Sequence, residues 1–215
     1  MPADKVSPET KVFTVVADVN VLVSAHNANR AGRTATISQR ILGHLTSGRV
    51  NGVSVQLALS FKMIDTFRGV LQRKDYDLVA VDAAAQALVA IMRYGPRRLD
   101  PYVVFGGTPD TSLLDTEDGG VLATAFAARA DVLVTDNLSD FAAADCETFA
   151  TSVVRRPDGT KRQLSCQIHT RPDGQTLMVV HPADFAHWIE RRFEISPASL
   201  RATFGRGALE PKKRG

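Results

Sequence analysis

Continuous apolar runs alternate along this chain with stretches in which apolar positions return every three or four residues. Val12–Ala17 is such a run, the pattern of a strand covered on both faces of a parallel sheet. It delivers Asp18 at its C-terminal end, where open α/β sheets place their ligands. Residues 26–33 are polar and read as a loop beside Asp18, from which Arg30 and Arg33 either reach a substrate phosphate or stay solvated. Ile37, Ile41, Leu42 and Leu45 then repeat at helical spacing up to Gly48, a natural stop. A short strand is expected over 49–54, and Ser54 is placed to cap a helix running through Leu71. On that helix Phe61, Ile64, Val70 and Leu71 form the apolar side, with Asp65 at its edge. Another helix spans 78–94 and is stopped by Gly95-Pro96; residues 97–114 are less regular. Asp118 precedes a helix of small residues over 121–130, followed by a buried strand at Val132–Val134 that ends on Thr135. Beyond it, 148–155, 163–170 and 176–180 have strand composition and are separated by two Pro-Asp-Gly turns. They are expected to form a three-stranded meander inserted, over 146–176, before the final strand. The first ten residues read as a polar leader, and 194–215 as a poorly ordered basic tail.

Helices alternating with buried strands predict one α/β domain with a central parallel sheet and helices on both faces. At 215 residues, 44% of them hydrophobic, the chain can bury a full core. No apolar run approaches the length of a membrane span, and no basic segment followed by an apolar stretch opens the chain, so a cytoplasmic protein is expected. Cys146 and Cys166 form no C-x-x-C pair and are expected to be reduced. Charge is uneven: residues 1–150 hold 14 Lys and Arg against 17 Asp and Glu, and 151–215 hold 12 against 6. An acidic body with a basic extension suits a polyanion partner, as it also suits a plain solvated extension.

Four acidic positions stand in apolar frames: Asp18 in VVADVNVLVSA, Asp65 in SFKMIDTFRGVL, Asp118 in DTEDGGVLATAFA, and Asp136 to Asp140 in ADVLVTDNLSDF. Carboxylates set among Val and Leu are costly unless neutralised, and a divalent cation neutralises several at once. Mg2+ or Mn2+ takes oxygen ligands, activates water and offsets charge developing on a phosphodiester. No G-x-S-x-G, P-loop, H-E-x-x-H or G-x-G-x-x-G motif offers another chemistry, and the five histidines lack ligand spacing. Asp115 and Glu117 crowd Asp118 as ligands, outer partners or helix N-terminal charges. Thr135 and Asn20 are placed to orient ligands or water, although Asn20 also suits a turn held to its own backbone. Arg155, Arg156, Lys161, Arg162 and Arg171 gather near the two Pro-Asp-Gly turns, either to grip the phosphates of a polyanion or to guard sheet edges.

The order of these motifs resembles the PIN domain, a metal-dependent ribonuclease fold that includes VapC-type toxins. Asp18 and Asn20 in ADVNVLVSA resemble the family's opening D-x-N/S-x-L turn. Residues 54–71 resemble the helix bearing its second acid, with Asp65 where Glu is usual. DGGVLATAFAARADVLVTDNLSDF resembles the third acid's helix, the next strand and the T-x-D/N-x-x-D-F loop, and VVHPADFAHWI its last strand and helix. The resemblance covers roughly 12–145 and 177–193. It implies a three-layer α/β/α PIN-like domain over 12–193 and a metal site of Asp18, Asp65, Asp118 and Asp136 with Asn137. Asn137 stands where many members carry an acid, with Asp140 as a neighbour, so occupancy by one or two metals stays open. The implied function is a Mg2+- or Mn2+-dependent endoribonuclease, the toxin of a toxin–antitoxin pair, with RNA as substrate, an antitoxin protein and a second copy of the chain as partners, and no membrane. The alternatives are a PIN-like RNA-binding module with weak or no cleavage and, more remotely, a haloacid dehalogenase-type phosphatase, which needs Asp where Asn20 stands.

Overall fold

The computed structural model describes residues 12–102, 116–143, 146–155 and 159–205, with the backbone alone for 116–118. The leader, Asp115 and Arg156 lie outside the described residues. The chain runs β1 (Val12–Ala17), α1 (Val19–Arg30), α2 (Ile37–Ser47), β2 (Arg49–Val50), β3 (Val53–Leu57), α3 (Phe61–Arg73), α4 (Leu78–Arg93), α5 (Thr116–Ala127), β4 (Val132–Val134), a 3-10 turn (Leu138–Phe141), β5 (Glu147–Arg155), β6 (Lys161–Thr170), β7 (Thr176–Val180), α6 (Pro182–Glu190) and α7 (Pro197–Thr203).

The strands form one mixed sheet in the order β2-β3-β1-β4-β7-β6-β5, and helices cover both faces to give three layers, α/β/α. Strands β3, β1, β4 and β7 are parallel, in the register Val15↔Leu57, Ala17↔Val134 and Val134↔Val180. They are buried on both faces, which is why they read as unbroken apolar runs. On one face Gln56 donates its amide to the Met92 carbonyl and ties α4 to the sheet. Gly95 permits this: a Cβ there would stand 2.5 Å from the Gln56 Oε1. On the other face, Phe185 and Ile189 of α6 meet Phe13 and Val55 around a cavity of about 380 Å³.

Several boundaries differ from expectation. Residues 26–33 are not a loop beside Asp18, because α1 continues to Arg30 and buries Val19, Val21, Leu22, Val23, Ala25 and Ala28. Arg30 therefore ends roughly 18 Å of helix away from Asp18, stacked 4.3 Å from the Tyr76 ring centroid. Residues 49–54 do not form one strand. Asn51 and Gly52 take φ of 50° and 84°, making the two-residue turn that Asn-Gly favours between β2 and β3. Ser54 lies in β3, and Ser60 caps α3 by accepting from the Met63 N–H. The C-terminal segment is packed up to Gly205, not a free tail: Leu200 of α7 is fully buried and Phe204 stacks on Trp188.

The meander is also part of the main sheet. Its third strand, β7, is itself the last parallel strand, so β5 and β6 extend the sheet at one edge. Cys166 pairs with Val180 at the C-terminal end of β7, and residues 161–165 of β6 therefore continue past that end with β5 as their only strand partner among the described residues. At the usual strand rise they project about 16 Å beyond the rim. At a register shift between Ala150 and Val153, the hydroxyls of Thr151 and Ser152 both donate to the buried Asp184 in the first turn of α6. That carboxylate fixes the overhanging hairpin to the domain. Cys146 and Cys166 are both free thiols.

Candidate active site at the C-terminal rim of the sheet

Asp18 and Thr135 end two adjacent parallel strands, which brings them together. The Asp18 N–H donates to the Val134 carbonyl, and the Thr135 N–H donates to that of Val180. Thr135 Oγ1 then donates to Asp18 Oδ2 at 2.7 Å. The same oxygen accepts from the Asn137 N–H at 3.0 Å and from Asn20 Nδ2 at 3.4 Å. A threonine hydroxyl has one donor and two acceptor positions; all three are in use, so Thr135 orients its neighbours and has no lone pair left for a cation. Because it spends its proton on Asp18, it can only accept from Asn20. Asn20 must therefore offer its nitrogen inward, and its Oδ1 is left buried without a partner.

Asp18 is 6% exposed. Burial raises its carboxyl pKa above the ordinary 3.8; the Thr135 hydroxyl and the Val19 and Asn20 N–H groups draw it back, and the Asp136 charge raises it again. Asp136, half-buried one residue beyond Thr135, is likewise raised by burial and lowered by the charge of Arg162. His181 Nε2 lies 3.6 Å from Asp136 Oδ1. Its Nδ1 caps α6 by accepting from the Ala183 N–H, which leaves the ring proton on Nε2. Burial, followed by the charge of Arg162, lowers its pKa to about 4, so His181 is neutral at physiological pH.

The other expected site residues divide. Asp118 lies in the first turn of α5. That helix runs antiparallel to the β4 it feeds, so its first turn stands at the same rim as Asp18; the Asp118 side chain is outside the described residues. Asn137 is exposed and donates to Asp140 Oδ2, so that pair faces each other at the rim. Asp65 is not brought in. Phe67 meets His26 of α1 edge to face, and two residues along a helix is roughly 200° of rotation, which turns Asp65 away from α1 and into solvent. Phe61, 45% exposed and stacked on Tyr102, does not belong to the buried stripe, which centres on Met63, Ile64, Phe67 and Leu71. Lys62 instead approaches α5, its Nζ 4.0 Å from where a Cβ on Gly120 would be. Thr66, one turn on, shares that side of the helix. We expect Asp65→Ala to leave any metal-dependent cleavage within about twofold of wild type, as for a solvated surface position; a loss comparable with that of Asp18→Asn would return Asp65 to the site.

The basic residues do not form one cluster. Arg162 stands on the overhanging part of β6, whereas Arg171 lies at the other end of that strand, on the opposite rim, with its guanidinium 5.2 Å from the Phe126 centroid. Arg155 and Lys161 are cross-strand partners, one residue out of phase with Arg162 and so on the other face of the hairpin.

Among the described residues no three His, Cys, Asp or Glu side chains converge as a metal site. The donors present nevertheless fit a hard cation: a buried carboxylate that is destabilised when charged, a second carboxylate near it, and an amide oxygen with no partner.

The PIN domain family model matches residues 14–139. The chain belongs to the PIN domain family. No curated protein and no solved structure matches it. PIN domains are generally nucleases that use divalent metal ions, and the rim just described is where this PIN domain gathers its oxygen donors. The match ends before β5, so the overhanging hairpin lies outside it. No helix among the described residues is long and apolar enough to cross a membrane.

Proposed function

We propose that this PIN domain is a metal-dependent endoribonuclease, with Asp18, Asp118 and Asp136 as the acidic groups and the Asn20 oxygen as a neutral donor. The observation that carries this is the buried, destabilised Asp18 carboxylate and the partnerless Asn20 Oδ1, on two side chains that share the Thr135 hydroxyl. Mg2+ or Mn2+ held there would supply charge for the developing phosphorane and lower the pKa of attacking water. The protein's own part is positional: Thr135 sets the Asp18 and Asn20 side chains, and the first turn of α1 directs its N–H groups toward the carboxylate. The resemblance to VapC-type toxins supports a role as the toxin of a toxin–antitoxin pair, neutralised by an antitoxin and acting as a homodimer in the cytoplasm.

Purified protein should fragment a mixed RNA pool in Mn2+ or Mg2+ and stop in EDTA. Binding without cleavage in either metal would favour the second reading, an RNA-binding module with feeble catalysis. That reading draws on the outward orientation of Asp65 and on Asn137, whose amide brings no charge.

A further inference from the structure

The rim carries a line of chemistry across neighbouring strands: Asp18 after β1, Asp136 after β4, His181 after β7, and Arg162 on the part of β6 that overhangs the end of β7. Arg162 shares its face of the hairpin with Leu164 and Cys166, the face covered by α6. It is exposed and has no ion-pair partner among the described residues, yet its charge acts on both Asp136 and His181. Three strand spacings separate β1 from β6, about 14 Å. A cation there is too far across the rim to act at Asp18 itself, and well placed for the next stretch of a bound strand.

We propose that Arg162 is a positioning residue that holds a phosphate flanking the scissile one, so that single-stranded RNA lies along the rim from the carboxylates to the overhanging hairpin. The inference rests on the nuclease reading only for which phosphate is cut. Arg162, exposed on the part of β6 that overhangs the end of β7, is the cation of this subsite. Asp184 serves it indirectly by fixing Thr151 and Ser152, and with them the hairpin. Arg155 and Lys161 face the other way and do not share this phosphate. Arg171, on the far rim, is remote from the path.

Binding of a short fluorescein-labelled single-stranded RNA is measured in EDTA, where metal-dependent cleavage is silent, over a salt series. Arg162→Ala should weaken binding about fivefold at low salt and reduce the slope of log affinity against log salt by about 0.7, the value for one lost phosphate on a single strand. Arg162→Lys should keep most of the slope, and Arg171→Ala should match wild type. With metal restored, Arg162→Ala should impair cleavage of the oligonucleotide and spare a dinucleoside monophosphate, which has no flanking phosphate. No RNA binding by the wild type, an unchanged slope in Arg162→Ala, or an equal loss in Lys161→Ala would overturn the proposal; an intact slope with loss of self-association would make the hairpin a protein interface. Should the wild type bind through Arg162 but cleave nothing, the nuclease reading fails and the phosphate subsite stands.

Discussion

Asp18→Asn is expected to reduce metal-dependent RNA cleavage by on the order of 10³-fold, the scale for losing a principal electrostatic group of a site, while leaving the metal-free fold as stable as before or more so. The two halves of this expectation have one cause. Burial holds the Asp18 carboxyl above its ordinary 3.8, so the folded state binds that proton more tightly than the unfolded chain does. As pH rises from 3.8 through the folded value, the group therefore makes folding less favourable, and above the folded value the whole penalty is present. Asparagine removes the charge and keeps an oxygen for the Thr135 hydroxyl. Each kcal/mol recovered should raise the melting temperature by roughly 2–4 °C. Millimolar Mn2+ should raise the melting temperature of the wild type and not that of the variant, a readout independent of turnover. Marked loss of metal-free stability would make Asp18 a structural acceptor and not a ligand.

The contrast between Asp18 and Asp65 shows how much of this site could be read from residue order. Asp18 follows an unbroken apolar run, and such a run admits few placements: the strand must be central, and its end must lie at the rim. Asp65 required the rotational setting of a helix, which hangs on the outermost apolar residue assigned to the stripe. Phe61 satisfied the periodicity but packs on Tyr102 outside the core, and removing it from the stripe turns Asp65 into solvent. The helix after Asp18 was concealed for another reason. VNVLV is rich in β-branched residues that favour strands, and the helix forms because tertiary burial of Val19, Val21 and Val23 outweighs that preference. Strand composition did reveal β5, β6 and β7. The resemblance placed Val179 and Val180 in the last strand; that β6 overhangs the rim beyond it depended on the pairing of Cys166 with Val180, a contact that periodicity does not encode. The Asn51-Gly52 turn, by comparison, had a legible signal in the dipeptide itself.

Thr135→Val should cost both stability and catalysis, and Thr135→Ser should restore most of each. Valine keeps the shape and removes the hydroxyl that Asp18, Asn20 and the Asn137 N–H all use. Leaving buried polar groups unpaired costs about 1–3 kcal/mol each, and since Asn137 is exposed and recovers water, a total loss of about 2–3 kcal/mol is expected in chemical denaturation. The effect on chemistry has a definite sign. The Thr135 hydrogen bond is the largest influence lowering the Asp18 pKa; without it the carboxyl rises further, more of it is protonated at a given pH, and the acidic limb of the pH–rate profile moves to higher pH. Asn20 would also be free to rotate, so affinity for Mn2+ should weaken along with the rate. A purely structural threonine would lower the amount of folded enzyme and leave the acidic limb where it was. Serine discriminates further, because it returns the hydroxyl without the methyl group: recovery of the pH profile with only partial recovery of stability would mark Thr135 as the residue that orients the carboxylate, whereas a serine variant as impaired as valine would assign its contribution to packing between β4 and β1.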